Sequence, residues 1–98
     1  MKKGYIIENY SITDNQNYIP PVKTINEALE KHNGKFLVAT PKAETLFGTP
    51  RQVTIVIEFD SIGKAKNFYK SEDYKEFKNL YKKTTEGWVN LAEEYEKK

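Results

Sequence analysis

The segment Val53–Phe59, VTIVIEF, constrains the fold more than any other part of the chain. The side chains of a β-strand alternate between two faces, and one face of this segment is wholly apolar. That face consists of Val53, Ile55, Ile57 and Phe59. The other face carries Val56 between two polar residues, so neither side is fully polar. A strand of this kind belongs in the interior of a sheet, with other strands on both sides.

Three other segments have the β-branched and aromatic content that is typical of strands: residues 5–12, 35–39 and 88–95. The last of them, WVNLAEEY, has two interpretations. Its Ala-Glu-Glu run suits a short helix, whereas Trp88 and Val89 after Gly87 favour a strand. We interpret it as the fourth strand. Residues 44–47 are an optional extension of the hairpin that joins the second and third strands.

Two helical regions lie between the strands. The first is expected to open at residues 15–17 with Asp14 as its N-cap, although Pro20-Pro21 must kink or break it. It continues with an apolar stripe at helical spacing, which comprises Val22, Ile25, Ala28 and Leu29. It ends at residues 32–34, where Asn33 or Gly34 offers a left-handed cap.

The second helical region is predicted to begin at Ser61 and to restart at Ser71. Both serines are placed as N-caps, because a serine side chain accepts a hydrogen bond from the first turn of a helix. Glu72 and Asp73 then follow in the first turn, where acidic residues suit the helix dipole. An aromatic stripe continues this helix, with Tyr74, Phe77 and Tyr81.

The resulting order, β-α-β-β-α-β, predicts an α+β fold of the ferredoxin-like kind. Four antiparallel strands are expected in the spatial order 4-1-3-2, with both helical regions on one face of the sheet. The chain has 98 residues, which is enough for one domain over residues 1–98. One layer of helices covers only one sheet face, yet the first and third strands carry apolar residues on both. We therefore predict a homodimer in which a second copy covers the other face.

Composition and charge narrow the possible functions. The chain has no Cys, which excludes disulfides, thiolate catalysis and Cys-ligated zinc. An RNA-recognition motif shares this strand order, but Val53 and Ile55 stand where its stacking aromatics are needed. The net charge is only +2 and Arg51 is the sole Arg, so no nucleic-acid partner is expected. No apolar stretch reaches the ~18 residues of a membrane span, and we predict a cytoplasmic protein without a membrane partner.

Few residues have the spacing that a nucleophile, a phosphate-binding loop or a metal site requires. His32 is the only His and lies at a helix C-terminus, where it acts as a cap in the simplest interpretation. Ser71 lacks the Gly-x-Ser-x-Gly turn of a nucleophile, and helix capping explains it. Glycine-rich phosphate loops and metal-ligand spacings are missing from the sequence. We accordingly predict neither a metal site nor a cofactor.

Glu58 is the carboxylate that we select as a candidate base. It interrupts the most apolar strand, on the face that a dimer would enclose, and enclosure would raise its pKa or demand a hydrogen-bond partner.

Three functions stay open. The chain binds a small metabolite between sheet and helices, or it is a cofactor-independent monooxygenase or isomerase with Glu58 as base and Tyr69 or Tyr74 as hydroxyl donor. In the third possibility, all the aromatic side chains belong to the hydrophobic core, and the chain is a ligand-free structural or interaction protein.

Several motifs run along the chain: Gly4-Tyr5-Ile6-Ile7, Gly34-Lys35-Phe36-Leu37-Val38, Val56-Ile57-Glu58-Phe59-Asp60-Ser61 and Phe68-Tyr69-x-Ser71-x-x-Tyr74. Through them, residues 4–95 resemble the domain-of-unknown-function family 1330. The sequence departs from the family pattern around Gly34, where a second Gly is usual, and at Thr40-Pro41, where the family has a Gly-rich step. The resemblance implies a dimeric α/β barrel without an assigned activity. Beside the candidate catalytic residues, we predict ligand contacts from Ser71, Glu44 and Arg51.

Overall fold

The computed structural model describes residues 2–96 of the chain. Along these residues the elements are β1 (Gly4–Ile12), α1 (Pro21–Thr24), α2 (Asn26–Lys31), β2 (Lys35–Thr40), β3 (Val53–Phe59), α3 (Ile62–Lys70), α4 (Glu72–Thr84) and β4 (Thr85–Glu93). The strands form one antiparallel sheet in the order β4-β1-β3-β2. The predicted α+β class is confirmed, and the arrangement is compatible with a ferredoxin-like fold.

The strand β3 lies inside the sheet, between β1 and β2. Its residues alternate between buried and half-buried along its whole length, as the apolar pattern predicts. The strand β1 alternates in the same way and in register with β3, so that Ile6 lies opposite Ile57 and Ile7 opposite Val56. One sheet face is therefore covered by the helices, and we call the other, half-buried face the open face.

The first helical region differs from the prediction at its start. Asp14 accepts hydrogen bonds from the backbone and the side chain of Asn17, and these bonds close a turn and do not start a helix. The helix begins only at Pro21, because a proline at the first position loses no intrahelical hydrogen bond. It is interrupted at Ile25, and α2 then ends before Asn33, whose φ of 57° is left-handed as expected.

The second helical region is divided at Ser71, but not by the predicted bond. The hydroxyl of Ser61 accepts a hydrogen bond from the backbone N–H of Lys64 and caps α3 as expected. Ser71 does occupy the N-cap position of α4, yet its side chain accepts no bond from that helix. Its hydroxyl instead donates to the carbonyl of Phe68, at 2.7 Å. The prediction of a side-chain N-cap at Ser71 is therefore wrong, because the hydroxyl turns back to the last turn of α3 and forms its hydrogen bond there.

Residues 88–95 and residues 44–47 are the two segments for which the sequence allowed more than one structure. The strand predicted over residues 88–95 is β4, which begins at Thr85, directly after α4, and ends at Glu93. The expected extension of the hairpin at residues 44–47 is wrong, because these residues form no strand. Leu46 and Phe47 lie in an exposed loop, where the side chain of Phe47 is 98% exposed.

The core lies between the helices and the covered face of the sheet. Its largest fully buried side chains are Phe59, Phe68, Ile6, Ile25, Leu29, Ile55 and Ile57. The rings of Phe59 and Phe68 are 5.3 Å apart, and Tyr74 of α4 packs against Phe68 at 4.9 Å. This aromatic cluster joins α3 and α4 to the sheet. None of the helices in residues 2–96 combines the length and apolarity that crossing a membrane needs.

Candidate functional site

The helices leave part of the covered face open beside the edge strand β4. Val89 and Leu91 point toward the helix side of the sheet, in register with Glu8 and Ile6, but they remain 42% and 39% exposed. A cleft of about 450 Å³ lies here between β1, β4 and the helices α3 and α4. The residues that line it are Glu8, Tyr10, Tyr69, Tyr74, Lys78, Tyr81, Lys82, Thr85, Glu86, Gly87, Trp88 and Val89. A second cleft of about 330 Å³ adjoins it at Tyr69 and Val89.

Glu8 lies at the base of this cleft, and we call the space the Glu8 cleft. The alternation of β1 places Glu8 on the same face as Ile6 and Tyr10, opposite Ile55 of β3 and Val89 of β4. The residue is only 4% exposed. Because burial disfavours the charged form of a carboxyl group, the pKa of Glu8 is raised to about 7.

The Glu8 carboxylate has no compensating partner. Within residues 2–96, no side chain or backbone group forms a hydrogen bond or an ion pair with it. In the same range, no side-chain oxygen that is sealed from solvent lacks a hydrogen bond. The Glu8 oxygens must therefore reach the accessible space of the cleft that they line.

Tyrosine side chains form most of the remaining wall. Burial raises the pKa of Tyr10, Tyr74 and Tyr69, and it raises the pKa of Tyr81 to about 12. These phenols are therefore neutral hydrogen-bond donors near neutral pH. The hydroxyl of Tyr10 is bonded to Tyr18 at 2.7 Å, and that of Tyr81 is bonded to Thr24.

Tyr69 and Tyr74 are different, because their hydroxyls form no hydrogen bond with any residue in the described part of the chain. Their rings pack against each other with centroids 5.5 Å apart. The two phenols therefore bring unused donors to the wall of the same cleft as Glu8.

The rim of the cleft is mainly basic. Lys78 and Lys82 of α4 lie on it, together with the exposed Glu86 of β4. The ammonium group of Lys78 lies over the ring of Tyr69, 4.3 Å from its centroid, which orients it by a cation–π contact. The two ammonium groups offer charged donors to an anionic group at the mouth of the cleft. No group of three or more His, Asp or Glu residues within 2–96 has the arrangement of a metal site.

The structure separates the residues that the sequence grouped as catalytic. Tyr69 and Tyr74 do lie together in the Glu8 cleft. Glu58 lies on the open face, where it accepts a hydrogen bond from the Tyr5 hydroxyl at 3.3 Å and pairs with Lys35 at 3.4 Å. The sheet thus stands between Glu58 and the two tyrosines of its own chain, and the proposed trio does not assemble there.

The predicted ligand contacts lie outside the cleft as well. Ser71 occupies the α3–α4 junction, and Glu44 lies in the exposed loop between β2 and β3. Arg51 donates a hydrogen bond to the backbone carbonyl of Glu86 at 3.1 Å, beside the cleft but not in its wall. Their binding roles stay predictions.

Glu8 is the functional candidate that the sequence analysis missed. The signal was present in the first strand, GYIIENYSI, where Glu8 shares a face with Ile6 and Tyr10. A single carboxylate in an apolar stripe indicates either an edge that faces water or a buried charge with a function. The choice between the two depends on which face the helices cover.

Comparison with known proteins places the chain in a family. The family model named domain of unknown function (DUF1330) matches residues 3–95. The chain belongs to this family. Membership in DUF1330 confirms the resemblance that the sequence motifs indicated, but it assigns no activity.

Two solved structures share the fold of this DUF1330 chain. One is the crystal structure of RPA0582, a protein of unknown function from Rhodopseudomonas palustris, with a TM-score of 0.76, 9% identity and coverage of 98% of this chain and 85% of that chain. The other is methylated RPA0582, with a TM-score of 0.76, 10% identity and coverage of 97% and 82%. Identities this low show a common fold alone. No curated protein matches the sequence.

Proposed function

We propose that this DUF1330 protein binds a small metabolite with a carboxylate and an aromatic group in the Glu8 cleft. The observation that carries the proposal is Glu8 itself, a buried carboxylate without a protein partner that opens on to a cleft. Burying such a group lowers stability, and nothing in the fold compensates for it. A ligand group that donates a hydrogen bond to Glu8 supplies a reason for its presence.

The size and the wall of the cleft support a small planar ligand. Its volume of about 450 Å³ lies within the range of small-molecule sites. Tyrosine rings offer flat apolar surfaces, and the free hydroxyls of Tyr69 and Tyr74 offer donors to oxygen atoms. Lys78 and Lys82 at the rim favour a ligand carboxylate.

Calorimetric titration with phenyllactate, an aromatic 2-hydroxy acid, tests the proposal. Lys78→Met keeps most of the side-chain stem and removes the charge, so we expect about tenfold weaker binding than in the wild type. Lys75→Met is the matched control on the same helix, since Lys75 is exposed and does not line the cleft. Absence of binding by the wild type, or equal losses in both variants, would refute a carboxylate site at this rim.

We also propose that two copies of the chain pair through their open faces as a dimeric α/β barrel of the ferredoxin-like kind. Three apolar residues of this face support the pairing: Ile7, Val38 and Val56. Pairing would enclose Glu58 and Tyr5, so the hypothesis that Glu58 acts as a base depends on the dimer. A cytoplasmic location stays a prediction from the sequence.

A further inference from the structure

The Glu8 cleft combines a carboxylate with hydrogen-bond donors that no other group uses. Glu8, Tyr69 and Tyr74 line one cavity, and none of their polar side-chain groups bonds to another residue within 2–96. A site that only held a ligand carboxylate would need donors and the lysines, but not a second carboxylate. Glu8 lies beneath these donors and is therefore placed to act on a part of the ligand other than its carboxylate.

We infer that Glu8 transfers a proton in the keto–enol isomerisation of a small aromatic 2-oxo acid bound in this cleft. The inference rests on the proposed binding function and assigns a reaction to the same site. Lys78 and Lys82 would hold the substrate carboxylate at the rim. The chain of the substrate would then extend toward Glu8, with its ring against the tyrosine wall.

The reaction is a balanced shift of one proton. The Glu8 carboxylate removes a proton from the carbon next to the carbonyl, so that the C–H bond breaks and an O–H bond forms on Glu8. The electron pair forms the carbon–carbon double bond, and the carbonyl pair moves to oxygen. Tyr69 or Tyr74 donates a hydrogen bond to this oxygen, where negative charge develops. Glu8 then returns the proton to the oxygen, and substrate and product are isomers.

The groups around Glu8 favour this exchange of protons near neutral pH. Tyr10, Tyr69, Tyr74 and Tyr81 face it as neutral phenols, while Lys78, Lys82 and Glu86 are the charged groups that line the same cleft. The raised pKa of Glu8, about 7, allows it both to accept and to release a proton at the pH of a cell. Its desolvation also strengthens every interaction with a developing charge.

Proton exchange from phenylpyruvate in heavy water tests the inference. The loss of the methylene proton signal is followed by NMR and compared with the buffer alone. We expect the wild type to accelerate exchange at least about 100-fold, and Glu8→Gln to reduce the rate to that of the buffer. Glu8→Asp restores part of the rate, and Glu30→Gln, on the exposed side of α2, leaves it unchanged.

Three results overturn the inference. The first is a wild-type rate equal to that of the buffer, and the second is full exchange in Glu8→Gln with circular dichroism showing both proteins folded. The third is loss of exchange in Glu58→Gln with retention in Glu8→Gln, which would assign the base to the open face. Phenyllactate has the same ring and carboxylate but no carbonyl, so its binding separates the two proposals. Phenyllactate binding without phenylpyruvate exchange leaves the binding function intact and refutes proton transfer.

Discussion

The burial and the partners of a charged side chain depend strongly on the face of the strand on which it lies, as Glu8 shows. Glu8 and Glu58 are both carboxylates on interior strands of the same sheet. The first is on the covered face without a partner, whereas the second is on the open face with Tyr5 and Lys35. Without a partner, Glu8 retains a large desolvation penalty, which shifts its pKa toward neutrality.

The raised pKa of Glu8 predicts how the free energy of unfolding depends on pH. The folded-state pKa of Glu8 is raised from 4.5 to about 7, so the folded protein binds a proton that the unfolded chain has released between these values. The free energy of unfolding should accordingly fall as the pH rises through this window, by up to about 3 kcal/mol for this group. We expect Glu8→Gln to remove most of this slope and to be more stable than the wild type at pH 8.

Urea denaturation from pH 4.5 to 8 measures the effect. Glu58→Gln serves as the comparison, because it makes the same chemical change on the other face of the sheet. If the free energy of unfolding changed with pH in the same way in the wild type and in Glu8→Gln, the group with the raised pKa would not be Glu8.

At the scale of the elements, β1 and α3 approach each other closely at Gly4. A Cβ atom at Gly4 would overlap the backbone of Ser61 and Ile62 at the start of α3. The lack of a side chain thus permits the start of α3, the helix that carries Tyr69, to approach the strand.

Gly4→Ala should therefore destabilise the fold by about 1–3 kcal/mol, since backbone and not a flexible side chain must move. Gly63→Ala is the matched control within α3, where the nearest atom to an added Cβ is 3.8 Å away. Alanine favours the helix, so this variant should gain up to about 1 kcal/mol. Thermal denaturation compares the two, and equal melting temperatures would contradict the importance of this contact.

The two serines of the second helical region provide another prediction. Ser61→Ala should cost about 1 kcal/mol, because the hydroxyl caps the backbone N–H of Lys64. Ser71→Ala should cost less, since the Phe68 carbonyl keeps its bond from the Ser71 backbone N–H. Chemical denaturation of both variants measures this difference. A larger loss at Ser71 would indicate that its hydroxyl has a role beyond the bond to Phe68.

At the scale of the whole molecule, the helices cover one sheet face and leave the other half-buried. Along the centre of the open face, Ile7 of β1 lies opposite Val56 of β3. These apolar residues have no layer above them within residues 2–96. A second copy related by a twofold axis would cover this face with the same surface from its partner.

Light scattering at micromolar concentration should therefore give twice the mass of one chain, because we expect the two copies to bury an interface of at least ~1,000 Å². Val56→Lys should give monomers, because it places a charge at the centre of the open face. Val22→Lys, on the exposed side of α1, should remain dimeric. A wild-type mass equal to one chain at all concentrations would refute the dimer.

Local pattern alone determined much of the fold. Alternation predicted β3 with its observed bounds, Val53–Phe59. The apolar stripe of the first helical region predicted the burial of Ile25, Ala28 and Leu29, but it was wrong for Val22, which is exposed. The α+β class and the family followed from the same residues. These features depend on periodicity along the chain, which each segment carries by itself.

Only the tertiary structure decided where the functional candidate lies. Periodicity shows which residues of a strand share a face, but the choice of the covered face depends on helices distant in sequence. The sequence therefore favoured Glu58, whereas packing buried Glu8 beneath Tyr69 and Tyr74. Ser71 follows the same rule, since the fold brought the Phe68 carbonyl within reach of its hydroxyl, which donates there and accepts no bond from the first turn of α4. Burial and partner choice are properties of the assembled layers, because free energy of desolvation depends on everything that surrounds a group.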